Sequence, residues 1–427
     1  MLRRRALLRF LLTLQLTCAL ALAAGSEQFY LHSGDTVVFY GDSITDQRLY
    51  TMLTELYTVT RYGELQVKFV HSGWGGDRVT GGGGGPIDIR LKRDVFSYKP
   101  SVMTIMLGMN DGKYASHTAA DDKVFYDGYE NIVQSTRKEF PQIRITAIGP
   151  SPFDDVTRPA TLPPSGYNAV LVNYSDWIRR YAATAKLDFA DLNEPVVSVL
   201  EQANTANVAV AQKIIPDRIH PGLAGHLIMA EALLKAWHAR PVVSLVNIDA
   251  SAGKVKSAQF TTITDLHAGS PFVWTETDEA LPLPFSEMLA SDRDGTLGLA
   301  IKSSDVTESL NEQPLTITGL KPGQYRLSID GQNVGSWTDE ELAKGVNLAV
   351  LDTPMSKQAM AVRDLTVRHL DVHQARWRTI QVPLQQSDFP HASEALRDLD
   401  ALENEIVAEQ RTLAKPRPHV FQLEPVT

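Results

Sequence analysis

The chain has 427 residues, with 41 Lys and Arg against 50 Asp and Glu and a formal charge of −9. An acidic balance of this kind argues against nucleic acid or an anionic membrane surface as a partner. The length exceeds one ordinary domain and predicts two.

The first predicted element is a leader. Arg3, Arg4, Arg5 and Arg9 precede an apolar run from Leu11 to Leu22, and Ala21, Ala23 and Ala24 supply small residues for cleavage. This is the pattern of a secretory signal peptide over residues 1–24. The apolar run falls short of the roughly 20 residues of a membrane span. Cleavage would remove Cys18, the only cysteine, leaving no disulfide and no thiolate chemistry. The expectation is a secreted or periplasmic protein with no stable membrane insertion.

Residues 25–240 alternate strand and helix signals. Apolar runs occur at 36–40, 67–71, 102–107, 143–148 and 187–190, with helix-like stretches at 47–59, 122–139, 169–185 and 222–239. Near-continuous apolar strands separated by helices predict a mostly parallel sheet covered on both faces. The character changes after Pro241. Short strand signals run through 242–248, 257–263, 271–274, 297–301 and 315–317, and Asp330-Gly331 joins 325–329 to 334–337 as a hairpin. Residues 241–350 therefore read as a β-sandwich-like accessory module. Residues 351–427 read as a helical region, with stretches at 356–370 and 392–413.

Ser43 lies in Gly41-Asp42-Ser43, directly after the first apolar run. A serine between a strand and a helix stands at the carboxyl end of a sheet, where open α/β folds place their chemistry. An N-cap serine is the alternative. A hydroxyl is a poor nucleophile without a base, and the base needs a partner that fixes its tautomer. Asp217-Arg218-Ile219-His220 supplies both, three residues apart. Gly73, after the second strand, can aim its N–H at a ligand. Asn110, in Gly-x-Asn-Asp after the third strand, offers a side-chain amide. With the Ser43 N–H, these donors can converge on one developing oxyanion.

Four blocks thus occur in order: Gly41-Asp42-Ser43, Gly73, Asn110 and Asp217-x-x-His220. In this the stretch 34–240 resembles the SGNH (GDSL-type) serine hydrolases. The resemblance implies a flavodoxin-like three-layer α/β/α fold, a Ser43–His220–Asp217 triad, and an oxyanion hole from Ser43, Gly73 and Asn110, with no metal or organic cofactor. One position departs: the family usually has Asn two residues before the glycine, and here it is His71.

Other residues carry two readings each. Asp42, Trp74, Asp77, Arg78 and Tyr114 are expected to line the substrate site, with a salt-bridged loop pair or ring packing as the alternatives. The run Gly81–Gly85 lacks the Lys-Ser/Thr of a phosphate loop and reads as a tight or mobile turn. His226 reads as structural. His369 and His373 have metal-like spacing but no third ligand nearby, and read as a solvated or packed pair. The expected activity is hydrolysis of short-chain carboxylic esters, such as acetyl groups on a glycan. The alternatives are a glycan-binding protein on a weak hydrolase domain, acyl transfer to a sugar hydroxyl, and a metal hydrolase using Asp42, Asp111, Asp217 and His220.

Overall fold

The computed structural model describes residues 28–426 except 161, 163–164 and 387–388. The expected leader and Cys18 lie outside the described residues. Strands β1 (Thr36–Gly41), β2 (Lys68–Gly73), β3 (Val102–Met106), β4 (Arg144–Ile148) and β5 (Asp188–Ala190) form one parallel sheet in the order β2-β1-β3-β4-β5. This is the flavodoxin-like order. All five residues of β3 are buried, as a strand covered on both faces requires. Gly41 is in register with Gly73 on one side and Met106 on the other. The chain segments leaving β1, β2 and β3 therefore start side by side.

Helices α1 (Ser43–Asp46), α2 (Leu49–Arg61), α3 (Ile87–Asp94), α4 (Ala119–Glu139), α5 (Asn168–Ala185), α6 (Glu194–Ala206) and α7 (Leu223–Ala236) alternate with these strands. A Thr118/Asp121 capping box starts α4. Helices α4 and α5 are joined by stacked rings, Phe125 on Tyr174 at 3.8 Å and Tyr126 on Trp177 at 4.4 Å. On α2, every residue from Tyr50 to Arg61 is buried. Arg61, at its end, donates to the carbonyls of Arg240, Pro241 and Leu310, each at 3.0 Å. One guanidinium thereby ties the α/β/α domain to the module that follows.

That module contains two sheets, one of five strands and one of four. Eight of these strands are β6 (Leu245–Asp249), β7 (Lys254–Gln259), β8 (Thr261–His267), β9 (Phe272–Asp278), β10 (Pro314–Thr318), β11 (Gln324–Ile329), β12 (Gln332–Thr338) and β13 (Val346–Asn347). The Asp330-Gly331 hairpin has positive φ at both residues, as a two-residue turn of this type needs. Helices α8 (Pro354–Gln374) and α9 (Ala392–Leu413) then fold back as a pair, and α8 packs on α2 and on the β2 edge of the parallel sheet.

Three expectations change. Residues 297–301, expected as a strand, lie in a helix, Thr296–Lys302. The apolar run is too short for its periodicity to decide, and the buried positions Leu297 and Ala300 follow helical spacing. The single strand expected at 257–263 is two, β7 and β8, in different sheets, with Phe260 between them at φ 57°. The region 351–427 is not wholly helical, because β14 (His419–Pro425) enters the antiparallel sheet between β9 and β11. Its alternating burial, with Phe421 and Leu423 inward, was legible as a strand pattern. Each of those two side chains contributes about 2 kcal/mol of burial.

Candidate active site

Asp42 caps α1. Its carboxylate accepts from the Ile44 N–H at 3.0 Å, leaving Ser43 as the first helical residue at the sheet's carboxyl edge. Gly73 packs directly on α1: a Cβ there would sit 2.2 Å from the Asp46 nitrogen and 2.4 Å from the Thr45 carbonyl carbon. Only glycine permits that approach, and it sets the end of β2 against the start of the helix that carries Ser43.

The second half of the site comes from the loop before α7. Arg218 takes a left-handed conformation, φ 72°. The Asp217 carboxylate accepts from the N–H groups of Ile219 at 2.9 Å and His220 at 2.7 Å. Its other oxygen faces His220 Nδ1 at 2.6 Å, and His220 Nε2 faces Ser43 Oγ at 2.8 Å. Burial works against the Asp217 carboxylate, but these hydrogen bonds hold it below its usual range. An ionised carboxylate only accepts, so Nδ1 carries the proton and the Nε2 lone pair faces the serine. His226 braces this loop from behind. It accepts from the Tyr50 N–H at 3.1 Å and meets Gln47 at 3.1 Å, and Gln47 donates to the Pro221 carbonyl at 3.1 Å. Burial drives His226 down to about 3, so it stays neutral.

Asn110 sits in the turn after β3. Its amide nitrogen donates to the Asp77 carbonyl at 3.0 Å, and its oxygen accepts from Tyr114 at 3.2 Å. Lys113 and Tyr114 both have positive φ, 55° and 53°. Each costs about 1–2 kcal/mol, and the pair turns the Tyr114 hydroxyl back onto Asn110. Burial pushes both Asp42 and Asp111 up to about 7. Asp111 accepts from the Val79 N–H at 3.0 Å, while its second oxygen is buried with no hydrogen-bond partner.

The structure brings Ser43, Asp217 and His220 together and sets Gly73 at the end of β2 and Asn110 in the turn after β3. It separates the expected substrate lining. Asp42 and Asp77 are 2% and 0% exposed, Asp42 as a cap and Asp77 paired with Arg90 at 2.5 Å. A side chain with no free surface cannot meet a substrate, so both leave the lining. Arg78 and Tyr114 are exposed and Trp74 is half-buried. The Gly81–Gly85 run is a tight hairpin turn packed against the segment Trp74–Asp77, and a Cβ at Gly84 would strike Arg90 at 2.3 Å. His71 replaces the family asparagine with a different support: it is buried and pairs with Thr51 at 2.7 Å and Glu55 at 3.0 Å on α2. His369 and His373 are both buried. Sequence reasoning missed Arg90, Trp377 and Arg378, which converge on the Gly73 loop from distant segments with no local motif to mark them.

A serine hydroxyl, an imidazole and a carboxylate in line at the edge of a flavodoxin-like sheet define an ester hydrolase of the α/β/α type. Residues 39–228 match the GDSL-like Lipase/Acylhydrolase family, and this domain belongs to it, an SGNH-type hydrolase. An acetylxylan esterase from Geobacillus stearothermophilus is 26% identical over 227 residues, covering 48% of this chain and 94% of its own. A gut microbial diltiazem-metabolizing enzyme superposes with a TM-score of 0.79 at 26% identity, covering 94% of this chain and 100% of that one. The similarity to the second therefore extends through the β-rich module and the C-terminal helices.

Proposed function

We propose that the protein is a secreted serine esterase that removes short acyl groups, acetyl among them, from carbohydrate or other small alcohols. Ser43 attacks the acyl carbon while His220 takes its proton. The ester's alkoxide leaves with that proton, giving an acyl-enzyme. Water then repeats the sequence, with His220 again the base, and releases the acid. Asp217 holds the imidazole in the required tautomer. The N–H groups of Ser43 and Gly73 and the Asn110 amide stabilise the oxyanion. The observation that carries this reading is the continuous Ser43–His220–Asp217 chain, with contacts of 2.8 Å and 2.6 Å. The short-acyl preference draws on the acetylxylan esterase relative. Secretion rests on the pattern of residues 1–24, and among the described residues no helix is long and apolar enough to cross a membrane.

The test is turnover of acetylated sugars and short-chain nitrophenyl esters by wild type and Ser43→Ala in parallel. Hydrolysis by wild type alone supports the reading. Equal rates in both proteins would remove Ser43 from the mechanism.

A further inference from the structure

The Gly73 loop is gripped by residues outside the matched family domain. Helix α8 runs into a π-helical turn, Ala375–Gln381. Such wide turns recur at functional sites. This one presents Trp377 and Arg378 to the loop after β2. The Trp377 ring is buried and meets Trp74 edge-on, with centroids 5.6 Å apart. Its Nε1–H donates to Asp94 at 2.6 Å. The Arg378 guanidinium lies 3.4 Å from the centre of the Trp74 ring, donates to the Gly73 carbonyl at 3.4 Å, and stands 3.6 Å from Asp46. Asp46 accepts in turn from the Gly75 N–H at 3.3 Å. Gly75 borders the nucleophile, since a Cβ there would lie 3.9 Å from the Ser43 Cβ.

Arg90 links this grip to both proposed oxyanion donors. It donates to the Ser72 carbonyl at 2.8 Å, and that carbonyl shares its peptide group with the Gly73 N–H. It also donates to Asp77 at 2.5 Å, whose backbone carbonyl holds the Asn110 amide at 3.0 Å. Its remaining carboxylate partner is Asp94, the group that Trp377 caps.

We propose that the Trp377–Arg378 turn is part of the active site, with Arg378 a positioning residue that fixes the Gly73–Gly75 loop for oxyanion stabilisation. This rests on the serine-esterase reading above. Oxyanion donors act only when placed to within tenths of an ångström, and a displacement of about 1 Å costs roughly 10²-fold in rate. A loop reading Gly73-Trp74-Gly75-Gly76 has little rigidity of its own. Arg378 supplies it by stacking on the indole, donating to the carbonyl beside it and attracting Asp46. Lysine matches neither the flat stacking nor the fork of donors. The contribution therefore belongs to kcat.

The experiment compares wild type, Arg378→Met, Arg378→Lys and Trp377→Phe as full chains on a short nitrophenyl ester, recording kcat, KM and Tm. Arg378→Met is expected to lower kcat about 10-fold to 10²-fold, with KM within about threefold and Tm nearly unchanged. Added guanidinium ion is expected to return part of the lost kcat in that variant and none in Arg378→Lys. Trp377→Phe should show a smaller fall of the same kind. Wild-type kcat in Arg378→Met overturns the proposal. So does a loss of kcat that follows a loss of Tm in the Arg378 variants and does not respond to guanidinium. Failure of the underlying reading is separate: wild type would then turn over no ester, or Ser43→Ala would match it.

Discussion

His369 and Glu55 face each other at 2.9 Å, 314 positions apart in the chain, in a contact that docks α8 onto the hydrolase domain. His369 also meets Glu403 at 3.2 Å on α9, and His373 lies 3.4 Å from the same Glu403. Burial pulls the His369 imidazolium down, but the two carboxylates outweigh it and raise it to about 10. Burial also drives His71 down to about 4, despite Glu55. Glu55 itself is held far below its usual range, mainly by His369, against the cost of burial.

The pH dependence of stability follows from these signs. A histidine raised from 6.5 to about 10 contributes fully below pH 6.5, and the contribution is lost as pH rises toward 10. A histidine depressed to about 4 withdraws stability as pH falls from 6.5 toward 4, and Glu55 withdraws more below its unfolded value of 4.5. In thermal melts His369→Gln should flatten the alkaline arm. It should also cost about 3 kcal/mol or more near neutrality, because two buried carboxylates lose their cation. An alkaline arm as steep as in wild type would remove His369 as its cause.

Asp111 carries the opposite sign. Its folded value of about 7 lies above the unfolded 3.8, so its contribution is lost as pH rises between them. Asn at 111 keeps the oxygen that accepts from Val79 and carries no charge. Asp111→Asn should match wild type in Tm near pH 4 and exceed it increasingly up to about pH 7, with the difference levelling off above that. A constant Tm difference across that range would contradict the shift.

Ser43→Ala and His220→Ala should each remove nearly all esterase activity at unchanged Tm. Asp217 is 52% exposed in its side chain. Asp217→Asn should therefore lower kcat about 10²-fold or more, short of the roughly 10⁴-fold expected for a fully buried aspartate. Retained kcat in Asp217→Asn would mean the imidazole finds its orientation elsewhere.

Asn110→Ala should lower kcat about 10²-fold through loss of an oxyanion donor. Tyr114→Phe removes only the hydrogen bond that orients that amide. Its expected cost is about 1 kcal/mol, roughly 5-fold in kcat. Steady-state kinetics on one short ester check both, and a larger loss in Tyr114→Phe than in Asn110→Ala would invert the assigned roles.

Much of the candidate site was legible in the sequence, because its residues sit on short local motifs at strand ends. Asp217 and His220 are three residues apart, and each remaining block follows its own strand. The parallel sheet was equally legible, since near-continuous apolar strands separated by helices admit few arrangements. The β module was read less well where short apolar runs carry no period, as at 297–301, and where φ at a single residue divides one strand into two, as at Phe260.

By itself, then, the sequence determined the α/β/α domain, the order of its four blocks and the residue types that meet at Ser43. Those follow from patterns within a few residues or from the period of one element. Only the tertiary structure decided that Asp42 and Asp77 are buried supports and that His71 answers to Glu55 and not to the oxyanion loop. It alone brought Arg90, Trp377 and Arg378 around Gly73. A side chain's partners depend on where distant elements pack, and Arg378 reaches Gly73 across 305 positions of chain. No local pattern records such a contact, because its energy comes from burial and pairing that exist only once the C-terminal helices have docked.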